Sequence, residues 1–225
     1  MRFAIISIIV CLLSACGQEE IAFPSQRAGI SGECGAYYPG SRETDTEESA
    51  DTDEESPYGM AQGKLFPCAV WESARLAGQD TYINIGEQYL ATKHGVSDRR
   101  SVVVVVSAEG CSQCALLIRH MAERADEFDE AGALMIGMAR SVLGGAGPDF
   151  TLDEAAATLA AERWPMARWH IINDEEYYFD ASFESNNPWL VVVSLADMRI
   201  VSLGNDTFPA NASGVSKLLT LLTSL

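Results

Sequence analysis

Residues 101–107 read Ser-Val-Val-Val-Val-Val-Ser. Five consecutive β-branched residues between two serines lack both the helical period and the alternation of a half-buried strand. Such a run is expected to form a short strand buried on both faces. The next segment is equally constrained. The loop Ala108-Glu109-Gly110 leads to Cys111, and from Cys114 to Phe128 apolar residues fall at 114, 117, 118, 121, 125 and 128. That spacing puts them on one face of a helix.

The rest of the carboxy-terminal half continues this texture. Ala133 to Met138 reads as a second buried strand, and Thr151 with Glu154 forms a capping box at the start of an Ala-rich helix running to Glu162. Trp189 to Ser194 is another apolar strand; Ala196-Asp197-Met198 is a turn, and Arg199 to Leu203 its hairpin partner. Ser213 is placed to cap a last helix with Leu218, Leu219, Leu222 and Leu225 on its inner face. The order strand, helix, strand, helix, hairpin, helix describes an α/β chain with a central mixed sheet flanked by helices.

Cys111-Ser112-Gln113-Cys114 is the chemistry-bearing motif. A CxxC pair between a strand and a helix reads as a redox pair. Cys111 falls at the helix start, where unpaired N–H groups and the helix dipole favour a thiolate. Cys114 falls one turn inward, close enough to close a disulfide. An exposed attacking thiol and a shielded resolving thiol are what exchange chemistry needs. Half a zinc site and a purely structural disulfide are the rival readings. There is no second CxxC, and His94, His120 and His170 are scattered, so no metal is expected.

The segment Val106-Ser107-Ala108-Glu109-Gly110-Cys111-Ser112-Gln113-Cys114 resembles the active-site segment of thioredoxins. Farther on, Asn187-Pro188 before Trp189-Leu190-Val191-Val192-Val193 resembles the cis-proline that opens the third core strand of that family. The closest look-alikes are membrane-tethered periplasmic members of the redoxin type, and the resemblance covers roughly residues 100–222. It implies a thioredoxin-like fold and thiol–disulfide exchange through Cys111 and Cys114. It also implies substrate contact at Asn187 and Pro188, and no cofactor. Three departures bear on activity. Gly110 stands where the family has Trp, Ser112-Gln113 replaces Gly-Pro, and Val105 stands where the family keeps a buried acid that helps proton transfer. Glu109 is the nearest acid, and its aligned counterpart is a surface residue. Peroxiredoxins place Thr three residues before the reactive Cys; Ala108 stands there, which argues against a peroxidase.

The amino terminus sets the expected compartment. Arg2, an apolar run from Phe3 to Leu13 and small residues before Cys16 have the make-up of a secretory signal. The run is too short to span a bilayer, which takes about 20 apolar residues. Leu13-Ser14-Ala15-Cys16 resembles the lipobox of bacterial lipoproteins, which implies acylation of Cys16 and membrane attachment through lipid. Gly17, rather than Asp, leans toward the outer membrane. Losing Arg2 with the leader takes the net charge from −17 to −18. Such a balance argues against nucleic acid as a partner.

Residues 17–57 read as a tether. Glu43 to Glu55 holds eight acids and no base, so it cannot bury enough surface to offset its ordering entropy. A flexible segment of this length spans roughly 35 Å. Removal of the leader and acylation leave Cys34, Cys68, Cys111 and Cys114, an even number in an oxidising compartment. A Cys34–Cys68 disulfide is therefore expected, contributing about 3–4 kcal/mol in the loop-entropy account. Free thiols, or exchange with the CxxC pair, are the alternatives. Trp164, Trp169, Tyr177 and Tyr178 either border the site or belong to the core, with the core favoured. The sequons at Asn205 and Asn211 carry no weight in a bacterial chain.

The expected organisation is a signal peptide at 1–15, a lipidated tether at 16–57, an extension at 58–100 and a thioredoxin-like domain at 101–225. The expected function is thiol–disulfide exchange with extracytoplasmic thiol or disulfide proteins, by a monomer. The competing class is a non-catalytic binding module that keeps the fold and a structural disulfide.

Overall fold

The computed structural model describes Pro39 and residues 58–140, 151–173, 189–204 and 207–225. Among the described residues, seven strands form one sheet: β1 (Val70–Leu76), β2 (Gln79–Asn84), β3 (Ser101–Ala108), β4 (Ala133–Arg140), β5 (His170–Ile172), β6 (Trp189–Ser194) and β7 (Ile200–Leu203). Five helices accompany them there: α1 (Ile85–Lys93), α2 (Ser112–Ala122), α3 (Ala125–Glu130), α4 (Leu152–Ala161) and α5 (Ala212–Thr223). The strand order is β2-β1-β5-β4-β3-β6-β7. β3 runs parallel to β4 and antiparallel to β6, and β6 pairs antiparallel with β7.

β3 is central, as its valine run demands. All eight of its residues are buried. Val102, Val104 and Val106 join one core with Ile136 and Val191; Val103 and Val105 join the other with Leu117 and Val192. The period of two thus feeds both faces, which accounts for the absence of polar residues within the run. α2 and α5 pack on the second face through Leu117, Ile118, Leu218 and Leu222, all fully buried.

Two expectations are corrected by this arrangement. The apolar stripe from 114 to 128 belongs to two helices, α2 and α3, interrupted at Glu123 and Arg124. The stripe crosses the break because Met121 and Ala125 are four residues apart, so the period alone does not reveal it. The last helix is capped by Asn211, whose side chain accepts from the Gly214 N–H at 3.0 Å, and Ser213 lies inside the helix. The segment 58–100 supplies β1 and β2, which pair with each other and extend the sheet beside β5. α4 starts at its predicted capping box, with both reciprocal bonds between Thr151 and Glu154 present.

Trp164 and Trp169 are core residues, 3% and 1% exposed. Their rings meet edge to face with centroids 5.0 Å apart, and Trp169 meets Phe128 in the same way at 5.6 Å. Trp164 lies over Gly137 of β4. A Cβ at Gly137 would stand 2.8 Å from the indole ring and 3.0 Å from a methyl of Leu159. A bare backbone at this point lets α4 and the chain after it sit close on the sheet. Gly137→Ala should therefore destabilise the protein by about 1–3 kcal/mol, the usual cost of overpacking. Denaturant unfolding checks this, and an unchanged midpoint would show that Trp164 has room to move.

Candidate functional site

The end of β3 delivers the chain to the site through one tight turn. Glu109 N–H bonds the Arg140 carbonyl at 3.0 Å, and Cys111 N–H bonds the Ala108 carbonyl at 3.0 Å. Gly110 takes φ +74° in this turn, with open space where a Cβ would be. The family's Trp at this position would meet that backbone strain, which glycine avoids.

Cys111 is the N-cap of α2, as expected. Its Sγ accepts a bond from the Cys114 N–H at 3.1 Å, and α2 carries no acid in its first turn. Cys111 and Cys114 form a disulfide with Cα atoms 5.3 Å apart. The two sulfurs are not equivalent. Cys111 is half-buried, while Cys114 is 0% exposed among the apolar residues of α2. On reduction, the free N–H groups at the helix start would favour the anion at Cys111.

Cys111 opens onto a cavity of about 510 Å³. Glu109, Gly110, Ala157, Ala161 and Glu162 are among the residues that line it. The alanines come from α4, so one wall has short side chains and leaves room beside the sulfur.

Glu162 is the residue that sequence reading missed in this role. It is 7% exposed, and Ser107 donates to its carboxylate, with Oγ 2.8 Å from Oε1 and 2.7 Å from Oε2. Burial pushes its pKa up from 4.5 to about 7, against the smaller lowering effect of the Ser107 bond. Ser107 is two residues after Val105, on the same face of β3. The buried acid missing at Val105 is thus matched by a carboxyl brought in from the end of α4. One signal for it existed: an acid at a helix C-terminus opposes the helix dipole.

Of the other expected site residues, Asn187, Pro188, Cys16, Cys34, Tyr177, Tyr178 and Asn205 lie outside the described residues. Cys68 is disulfide-bonded. Glu109 is exposed, as its alignment implied, although it lines the cavity. Among the described residues, no group of three or more His, Cys, Asp or Glu is placed to hold a metal ion.

The fold is thioredoxin-like. Parallel β3 and β4 joined through α2, the antiparallel β6–β7 hairpin with α5 after it, and a CxxC pair at the start of α2 give that arrangement. No protein-family model matches the chain, and no curated protein matches it. Solved structures share its general chain path. The thioredoxin domain of a thiol-disulfide oxidoreductase from Bacteroides vulgatus is 14% identical, with a TM-score of 0.46 over 72% of this chain and 99% of that one. A thiol:disulfide interchange protein from Bacteroides sp. is 11% identical, with a TM-score of 0.48 over 74% and 90%. A peroxidoxin from Mycobacterium tuberculosis is 16% identical, with a TM-score of 0.49 over 74% and 99%. These likenesses are of fold alone and do not divide exchange from peroxidase chemistry.

Glu162 also ties stability to pH. The folded chain holds this proton more tightly than the unfolded chain, so the contribution is complete below about pH 4.5 and is lost as pH rises through about 7. Its size is on the order of 2–3 kcal/mol. Denaturant unfolding from pH 4 to 8 should show wild type losing this stability relative to Glu162→Gln. Parallel curves for the two proteins would show that the carboxyl is not held neutral.

Proposed function

We propose that the protein is an extracytoplasmic thiol–disulfide oxidoreductase, anchored by lipid at Cys16 and held off the membrane by the acidic segment before residue 58. The observation that carries the redox assignment is the asymmetry of the pair. Cys111 stands at a helix N-terminus beside a cavity, and Cys114 is fully buried behind it. Exchange requires this division: one sulfur that a second protein can reach, and one that reacts only within the chain. Ala108 stands where a peroxidase would place its Thr, which favours exchange between proteins over peroxide reduction.

Cys111 forms the mixed disulfide with the client and Cys114 resolves it. The client is an extracytoplasmic protein with exposed thiols or a disulfide, and no organic cofactor takes part. The lipobox-like Leu13-Ser14-Ala15-Cys16 supports attachment through an acylated Cys16.

Cys114→Ala should trap mixed disulfides with client proteins in cells, and Cys111→Ala should trap none. In the reduced protein, Cys111 should alkylate faster than Cys114 under non-denaturing conditions. Faster alkylation of Cys114, or no capture by either variant, would remove the enzymatic assignment in favour of a binding module. Cys16→Ser should abolish metabolic labelling by fatty acid, and equal labelling of wild type and variant would remove the anchor.

A further inference from the structure

The Cys111–Cys114 pair uses no acid from its own strand, yet a carboxyl is present at the pair. Glu162 lines the cavity that Cys111 faces. Its carboxylate is fixed by Ser107, four residues before Cys111 on the strand that leads into the site. Cys111 lines this cavity and Cys114 has no exposed surface, so the cavity is the place open to a client sulfur bonded to Cys111.

We propose that Glu162 is the general acid–base for the client's sulfur. This rests on the exchange reading above. When a client thiol attacks the disulfide, Glu162 carboxylate takes its proton. The client sulfur bonds to Cys111 Sγ, the Cys111–Cys114 bond breaks, and Cys114 leaves with the electron pair. A second client thiol then attacks the first client sulfur. A client disulfide forms, Cys111 leaves with the electron pair and takes the second thiol's proton, the proton held by Glu162 neutralises the Cys114 thiolate, and two electrons and two protons have passed from client to protein. In the opposite direction Cys114 attacks Cys111 Sγ of the mixed disulfide. The client sulfur departs with the bonding pair and receives the proton from the Glu162 carboxyl. A group serving both directions works best with a pKa near the ambient pH. Burial brings Glu162 to about 7.

The charged and titratable groups around it are few. Glu109 comes from the turn before α2 and is exposed. Arg140 ends β4, and Arg163 follows Glu162 in the chain. Arg75 of β1 is engaged by Asp153 at the far end of α4. His170 of β5 pairs with Ile136, whose side chain belongs to the opposite core. Among the described residues, burial and the Ser107 bond are what move the carboxyl.

The test is the pH dependence of single-turnover reduction of the oxidised protein by a small monothiol or dithiol probe, dithiothreitol being suitable, from pH 5 to 9. Wild type should bend near pH 7 and flatten above it, because base-assisted attack saturates once Glu162 is ionised. Glu162→Gln should lose the bend, rise steadily toward the probe's own thiol pKa, and be slower at pH 7, by on the order of 10–100-fold. Ser107→Ala removes the bond that lowers the carboxyl pKa, so its bend should move to higher pH. This second variant keeps the test intact if Glu162→Gln fails to fold. Identical profiles for wild type and Glu162→Gln, or an unmoved bend in Ser107→Ala, would overturn the role of Glu162. Cys111-dependent exchange would then still support the oxidoreductase reading. Wild-type protein with no Cys111-dependent turnover would overturn both.

Discussion

β3 is the member on which everything else is hung. β4 bonds it along one edge over eight residues, and β6 bonds it along the other from Ser101 to Val106. Its five valines are fully buried and feed both cores. A strand clamped on both edges and both faces is among the least mobile elements a fold offers. Only Glu109 and Gly110 separate it from Cys111. The reactive sulfur therefore takes its position from the most constrained part of the molecule, and no long loop intervenes. Preorganisation of this kind is what a site needs when two sulfurs must meet in line.

The same strand carries the polar exception. Ser107 continues the face of Val103 and Val105, and there it meets Glu162 from the far side of the sequence, 55 residues away. A buried carboxyl is expensive when ionised, and one neutral hydroxyl does not offset that cost. The protein keeps the group by letting it hold its proton. Trp164, two residues beyond Glu162, packs over Gly137 and against Trp169.

Much of the fold is legible in the chain, for identifiable reasons. β3, β4 and β6 are apolar runs buried on both faces, and β7 is announced by the turn that precedes it. α4 carries its own start signal in Thr151 and Glu154. The CxxC motif places itself, since it comes after a buried strand and opens a helix. β1 and β2 are not legible. They mix charged and polar residues with apolar ones, with β2 at the sheet edge, and their turn is Ala77-Gly78, both with positive φ. Hairpin turns of that conformation usually announce themselves with Asn-Gly or Asp-Gly. β5 is three residues long, too short to show any period. Glu162 reads only as the end of a helix, because its partner is set by tertiary packing. Asn187 and Pro188 lie outside the described residues and rest on the resemblance alone.

Magnitudes decide what governs the thiolate at Cys111. A helix N-terminus stabilises an anion by roughly 0.3–1 kcal/mol at the surface and up to about 2 kcal/mol when partly buried. An ionised carboxylate lining the same cavity opposes it, because like charges in a poorly solvated site repel. Glu109 is exposed, and water and salt screen it. Glu162 is buried and far less screened. Charged, it would oppose the advantage that the helix start confers; neutral, it leaves that advantage whole. Burial raises its pKa to about 7, so below that pH the carboxyl is mostly neutral and spares the Cys111 anion, and under the proposed exchange reaction it stores the proton that a departing client sulfur would take.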